Sequence, residues 1–113
     1  MRIKKGQIYK IKFKSKKGSH LQEGIRPAIV VSNNDKNRGD IINVTPLTTK
    51  TKRDDLGTHI VINGYGLDRD SVVLTEQTIP VDRFVIMEEN YIGMINDKAL
   101  MEEITIANQR QFE

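Results

Sequence analysis

The six residues from Pro27 to Ser32 constrain the fold most, because Ile29, Val30 and Val31 follow one another without a polar break. A short β-branched run of this kind suits a strand covered on both faces. Pro27 fits at its start, where the ladder needs no donor. Upstream, Tyr9, Ile11 and Phe13 alternate with Lys10 and Lys12, the period-two pattern of a half-buried strand with ammonium groups on its wet face. Lys14 to Gly24 mixes Ser, Gly, Lys and Glu and reads as an exposed loop. Asn33-Asn34-Asp35 and Asn37-Arg38-Gly39-Asp40 make a turn, and Ile41 to Leu47 form a third strand that ends in the polar run Thr48 to Arg53. His59–Ile62 and Ser71–Thr75 are a fourth and a fifth strand, separated by a Gly64-Tyr65-Gly66 turn.

The tail changes period. Leu100, Met101, Ile104 and Ala107 follow helical spacing, with Glu102 and Glu103 on the wet side, which predicts a helix from about Asp97 to Gln109. Asn96 is the expected N-cap, and Asp97 complements the positive helix start. The pattern predicts one domain over residues 1–113: a mainly β, strongly bent sheet or barrel covered by a C-terminal α-helix.

Composition narrows the function. A chain of 113 residues and 12.9 kDa has the length of a single domain. No apolar stretch approaches the length of a spanning helix, and no apolar segment follows the charged amino terminus, so the expected location is the cytoplasm, away from membranes. The absence of cysteine excludes disulfides, thiolate catalysis and zinc fingers, and two histidines leave little for a metal site. The expectation is a protein without metal or cofactor.

The net charge of +3 conceals an asymmetry. Through Arg53 there are 14 Lys and Arg against 3 Asp and Glu; from Asp54 onward there are 4 against 12. A contiguous basic field concentrates polyanions, although a solvated face kept for solubility gives the same count. P-loops, dinucleotide fingerprints, zinc motifs and nucleophile elbows are all missing. An enzyme built from this inventory works with Arg, Lys, His, hydroxyls and carboxylates. RNA suits it, because the ribose 2′-OH is itself a nucleophile once it is aligned and the developing charge is stabilised.

Five segments then resemble one family in order and spacing. Gly24-Ile25-Arg26-Pro27-Ala28-Ile29-Val30-Val31-Ser32-Asn33 is similar to the G-x-R-P-hydrophobic-V-S signature of the MazF/PemK-like toxins. Leu56-Gly57-Thr58-His59 resembles their L-P-T-H, Asp70 to Gln77 their D-S-V-x-x-x-E-Q, and Val81-Asp82-Arg83 their I-D-K/R. Gly6-Gln7-Ile8-Tyr9 is similar to the opening of their first strand. The resemblance implies an antiparallel, barrel-like sheet of the SH3-like, CcdB/PemK type with a C-terminal helix. It implies a homodimeric, sequence-specific endoribonuclease that cuts single-stranded RNA without metal, leaving a cyclic phosphate and a 5′-OH. It also implies a cognate acidic antitoxin that blocks the RNA groove.

Through the same resemblance the catalytic arginine falls on Arg26 and the strand-three hydroxyl on Thr48, with Glu76 and Gln77 as an acidic and amide-bearing pair near the fifth strand. A guanidinium matches the forked geometry of a phosphate, whereas an arginine beside a core can equally be tied to a carboxylate such as Glu23 or Glu76. β-Propensity alone explains a threonine at position 48. His20, in a loop with one extra residue relative to the family, is a candidate acid–base by its ordinary pKa or a solvated side chain. Glu76 is either the acceptor of the 2′-OH proton or a strand-end carboxylate, and His59 reads as structural. Lys16, Lys17, Ser19, Asn33, Lys50, Lys52, Arg53 and Gln77 are the expected RNA contacts. Gly57 stands where the family has proline, and Ile79-Pro80 where many relatives carry Arg-Thr. Two other readings stay open: a toxin of this fold that poisons DNA gyrase through its C-terminal helix, for which the tail with only Phe112 is a poor match, and a plain RNA-binding barrel.

Overall fold

The computed structural model describes residues 2–13, 24–49 and 60–110. Seven strands, β1 (Gln7–Phe13), β2 (Gly24–Val30), β3 (Ile41–Thr49), β4 (Ile60–Ile62), β5 (Ser71–Val73), β6 (Ile79–Asp82) and β7 (Tyr91–Met94), precede one helix, α1 (Lys98–Arg110). Every pairing is antiparallel, in the order β4-β5-β3-β2-β1-β7, with β6 also on β3. This is the mainly β, curled sheet with a C-terminal helix that the sequence predicts.

Burial follows the two sequence patterns. Tyr9, Ile11 and Phe13 are buried while Lys10 and Lys12 are exposed. Ala28, Ile29 and Val30 are all fully buried, because β2 has a core on each side. Ala28 and Val30 join Ile3, Tyr9, Ile11, Phe13, Ile42, Val44 and Ile86 in a first cluster. Ile29 joins Ile8, Leu47, Ile62, Val73, Ile95 and Ile104 of α1 in a second. Each fully buried aliphatic side chain stabilises the fold by about 1.5–3 kcal/mol. Within the first cluster, the Tyr9 hydroxyl donates to Gln7 Oε1 at 3.0 Å and its ring meets that of Tyr91 edge-on. Burial, then the neighbouring Tyr91 and Glu88, push the Tyr9 phenol above its ordinary value of 10.0.

Several boundaries differ from the expectation. β2 begins three residues before Pro27, which pairs with Lys10 in mid-strand. The proline is accommodated because β3 joins β2 only from Ala28 onward. β3 continues through Thr48 and Thr49, since β5 pairs with both. β5 stops at Val73, and Thr75 opens a 3-10 turn, Thr75–Gln77. The strands β6 and β7 carry little signal in the sequence: Pro80 interrupts one and Gly93 the other, which weakens a period-two pattern. The helix cap is Asp97 rather than Asn96. The Asp97 carbonyl already accepts from Met101 N, and its Oδ1 accepts from Leu100 N at 3.1 Å.

Two glycines let the sheet curl. Gly66, in the turn between β4 and β5, has φ +89, and a Cβ there would lie 2.2 Å from the Ile92 carbonyl oxygen. A Cβ on Gly93 of β7 would lie 1.9 Å from the Tyr65 oxygen. The turn of one edge of the sheet therefore packs backbone to backbone on the strand at the other edge. Only glycine permits that approach.

Candidate functional site

Alternation along β2 puts Arg26 on the same face as Ala28 and Val30, at the end of a buried row. Ile11 of β1 lies across from it on one side. On the other, the pairing of Ala28 with Pro46 carries forward to bring Thr48 of β3 opposite Arg26. The side chains meet: Arg26 Nη1 donates to Thr48 Oγ1 at 3.3 Å. Both residues are half-buried, so the guanidinium is neither sealed in the core nor free to sweep through solvent.

The length of this bond matters. Charge-assisted hydrogen bonds to strong acceptors run to about 2.7–2.9 Å, so 3.3 Å to a neutral hydroxyl is a loose contact that an anionic oxygen would outcompete. While Thr48 Oγ1 accepts from Arg26, its own proton remains available to donate. The pair thus presents a guanidinium and a hydroxyl side by side, the donor set that an oxyanion on phosphorus requires.

Glu76 and Gln77 lie in a turn built by a different device. β5 and β6 both run antiparallel to the same edge of β3, at Leu47–Val73 and at Val44–Ile79. Three steps along β3 are thereby matched by six along its partner. The 3-10 turn Thr75–Gln77 takes up the excess beside Thr45 and Pro46. Thr78 anchors the turn, with its Oγ1 2.7 Å from Thr45 Oγ1 and 2.8 Å from Asn108 Oδ1 of α1. Thr45 pairs with Ile29 of the second cluster, so this anchor lies on the helix side of the sheet, opposite the face of Arg26. Gln77 is half-buried. Glu76 is exposed and has no hydrogen-bond or ion-pair partner among the described residues.

The remaining expected residues divide sharply. Asn33 lies beyond the far end of β2, where its Oδ1 accepts from Lys36 N at 2.8 Å and shapes the following turn. The structure does not bring it to Arg26. His20, His59, Lys16, Lys17, Ser19, Lys50, Lys52 and Arg53 lie outside the described residues. Ile79 packs against the first cluster. Among the described residues no group of three or more His, Asp or Glu side chains is placed to hold a metal ion. No described helix is long and apolar enough to cross a membrane. Sequence reasoning missed Thr78 and Asn108 as the anchors of the Glu76 turn. Their partners are 33 and 30 residues away, beyond any local pattern.

Comparison with known proteins gives the family of the chain. A family model described as PemK-like, MazF-like toxin of type II toxin-antitoxin systems matches residues 4–111. The chain is 35% identical over 86 residues to endoribonuclease EndoA of Bacillus subtilis (strain 168), covering 74% of this chain and 73% of the relative. It is 29% identical over 103 residues to endoribonuclease MazF of Staphylococcus saprophyticus, covering 88% and 83%. Among solved structures, MazF from Deinococcus radiodurans superimposes with a TM-score of 0.78 at 17% identity, covering 99% of this chain and 97% of that one. A mycobacterial endoribonuclease solved with its cognate antitoxin superimposes at 0.69 and 21% identity, covering 98% and 93%. The chain belongs to the PemK-like, MazF-like toxins of type II toxin–antitoxin systems.

Proposed function

We propose that the protein is a sequence-specific endoribonuclease toxin that cleaves single-stranded RNA through the ribose 2′-OH, without metal. The observation that carries the reading is the cross-strand bond between Arg26 and Thr48 in a chain of this family. In the reaction, the 2′-oxygen bonds to phosphorus as the bond from phosphorus to the 5′-oxygen breaks. The 2′-proton passes to a base, and the departing 5′-oxygen takes up a proton. The products are a cyclic phosphate and a 5′-OH.

Arg26 binds the phosphate and stabilises charge on the pentacoordinate oxygens, and Thr48 donates to a non-bridging oxygen. Removing one such donor from an oxyanion site costs about 10²–10³ in rate. Glu76 and His20 are the two groups proposed for the proton transfers, and Glu76 is the more directly supported, since its exposed carboxylate has no described partner to release first. Lys16, Lys17, Lys50, Lys52 and Arg53 supply sequence-tolerant phosphate contacts, while Ser19, Asn33 and Gln77 contact bases. The active form is a homodimer in the cytoplasm, blocked by an acidic antitoxin. The support is the set of relatives named endoribonucleases, one of them solved with its cognate antitoxin.

The test is incubation of the purified protein with mixed single-stranded RNA in EDTA, followed by sequencing of the new 5′ ends. Fragments that share a short sequence around the cut are expected. An intact RNA pool overturns the reading.

A further inference from the structure

A second concentration of positive charge lies at the other end of the β2–β3 pair from Arg26. Arg2, Lys4, Arg38 and Arg83 line one cavity of about 460 Å³, together with the amides of Asn34 and Asn37. No carboxylate lines it, and none of the four cations is ion-paired to a described residue. Four like charges around a concavity repel one another unless an anion occupies it.

The walls are built rather than loose. Arg83 Nη1 donates to the carbonyls of Asn37 at 2.7 Å and Gly39 at 3.0 Å, which fixes the guanidinium and leaves its other N–H donors for a ligand. Asn37 is buried, held by Ser32 through both ends of its amide. Asn34 Oδ1 accepts from Lys5 N at 2.8 Å, which orients the amide and leaves its Nδ2 without a described partner. Arg2, Lys4 and Arg38 are exposed at the rim.

From this geometry we infer that the cavity is a phosphate subsite for the RNA strand, separate from the cleavage site. The inference rests on the proposed endoribonuclease function. Phosphate is favoured over an acidic peptide because the one apolar lining residue, Ile3, is 2% exposed. A peptide would find no anchoring pocket there, whereas backbone phosphates bind by counterion release and need none. Ile3 belongs to the same apolar cluster as Ile11 and Ala28, the neighbours of Arg26, so the two sites flank one cluster.

The test is a triple variant, Arg2→Gln, Lys4→Gln and Arg38→Gln, confined to exposed side chains so that the fold is preserved. Binding is measured against salt with a single-stranded 2′-deoxy oligonucleotide, which carries the phosphates and lacks the nucleophile. Loss of three contacts should flatten the slope of log affinity on log salt by about two. Cleavage is compared on a minimal RNA and on one extended by about ten nucleotides on each side. The KM for the extended RNA should rise about tenfold, with kcat and the minimal substrate unaffected. An unchanged salt slope overturns the subsite, as does an equal loss on both RNAs. Poly-glutamate binding that the triple variant loses, with oligonucleotide binding intact, overturns it in favour of an acidic partner. A wild type that cuts no RNA removes the nuclease reading and leaves the salt slope to decide the subsite alone.

Discussion

Arg26 and Arg83 are both half-buried guanidiniums beside the first apolar cluster, and they donate to different kinds of acceptor. Arg83 spends one nitrogen on two backbone carbonyls at 2.7 and 3.0 Å. It ties the turn after β2 to the end of β6, and without it two carbonyls lose a partner. Arg26 shares its Nη1 with a threonine hydroxyl at 3.3 Å, a contact that any phosphate oxygen would displace. Equal burial therefore goes with different acceptors, two backbone carbonyls at Arg83 and a side-chain hydroxyl at Arg26.

The comparison can be broken at either arginine. Arg26→Ala should lower single-turnover cleavage by about 10²–10³ while the unfolding free energy from urea titration falls by about 1 kcal/mol or less. A large stability loss with residual cleavage intact would make Arg26 the structural one. Arg83→Ala should do the reverse on a minimal RNA, costing about 1–3 kcal/mol in urea unfolding through the two abandoned carbonyls, with kcat per folded molecule unchanged. A smaller effect sharpens the contrast: with the hydroxyl proton in the proposed role of donor to the phosphate, Thr48→Val should cost about tenfold in kcat and Thr48→Ser little. Equal loss in both would assign Thr48 to packing.

The smallest effect is read from pH. The Tyr9 phenol is held above its ordinary value, so the folded state keeps a proton that the unfolded chain releases near pH 10. Stability from this group is intact below about pH 10 and falls as pH rises through the folded value. Tyr9→Phe should remove that alkaline decline, as followed by thermal unfolding from pH 8 to 11.

How far the sequence could be read depended on the range of the interaction. The strands of β1 and β2 were legible because alternation and a β-branched run are local, and the lysines at 10 and 12 fell on the wet face as expected. The Arg26–Thr48 pair was legible only through family resemblance, since the two residues are 22 positions apart and nothing local couples them. β6 and β7 were hidden by Pro80 and Gly93. The excursion that carries Glu76 was hidden as well, because it is set by the different registers of β5 and β6 on β3. The cation cavity is not legible in the sequence for a related reason: Arg83 lies in the acidic half of the chain and joins Arg2, Lys4 and Arg38 only in the folded sheet.

The most direct test of the account is the chemistry of the RNA ends produced in EDTA. Attack by the ribose hydroxyl under Arg26 and Thr48 predicts a 2′,3′-cyclic phosphate on one fragment and a 5′-OH on the other. A 3′-OH with a 5′-phosphate would contradict it, because the entering nucleophile would then be water.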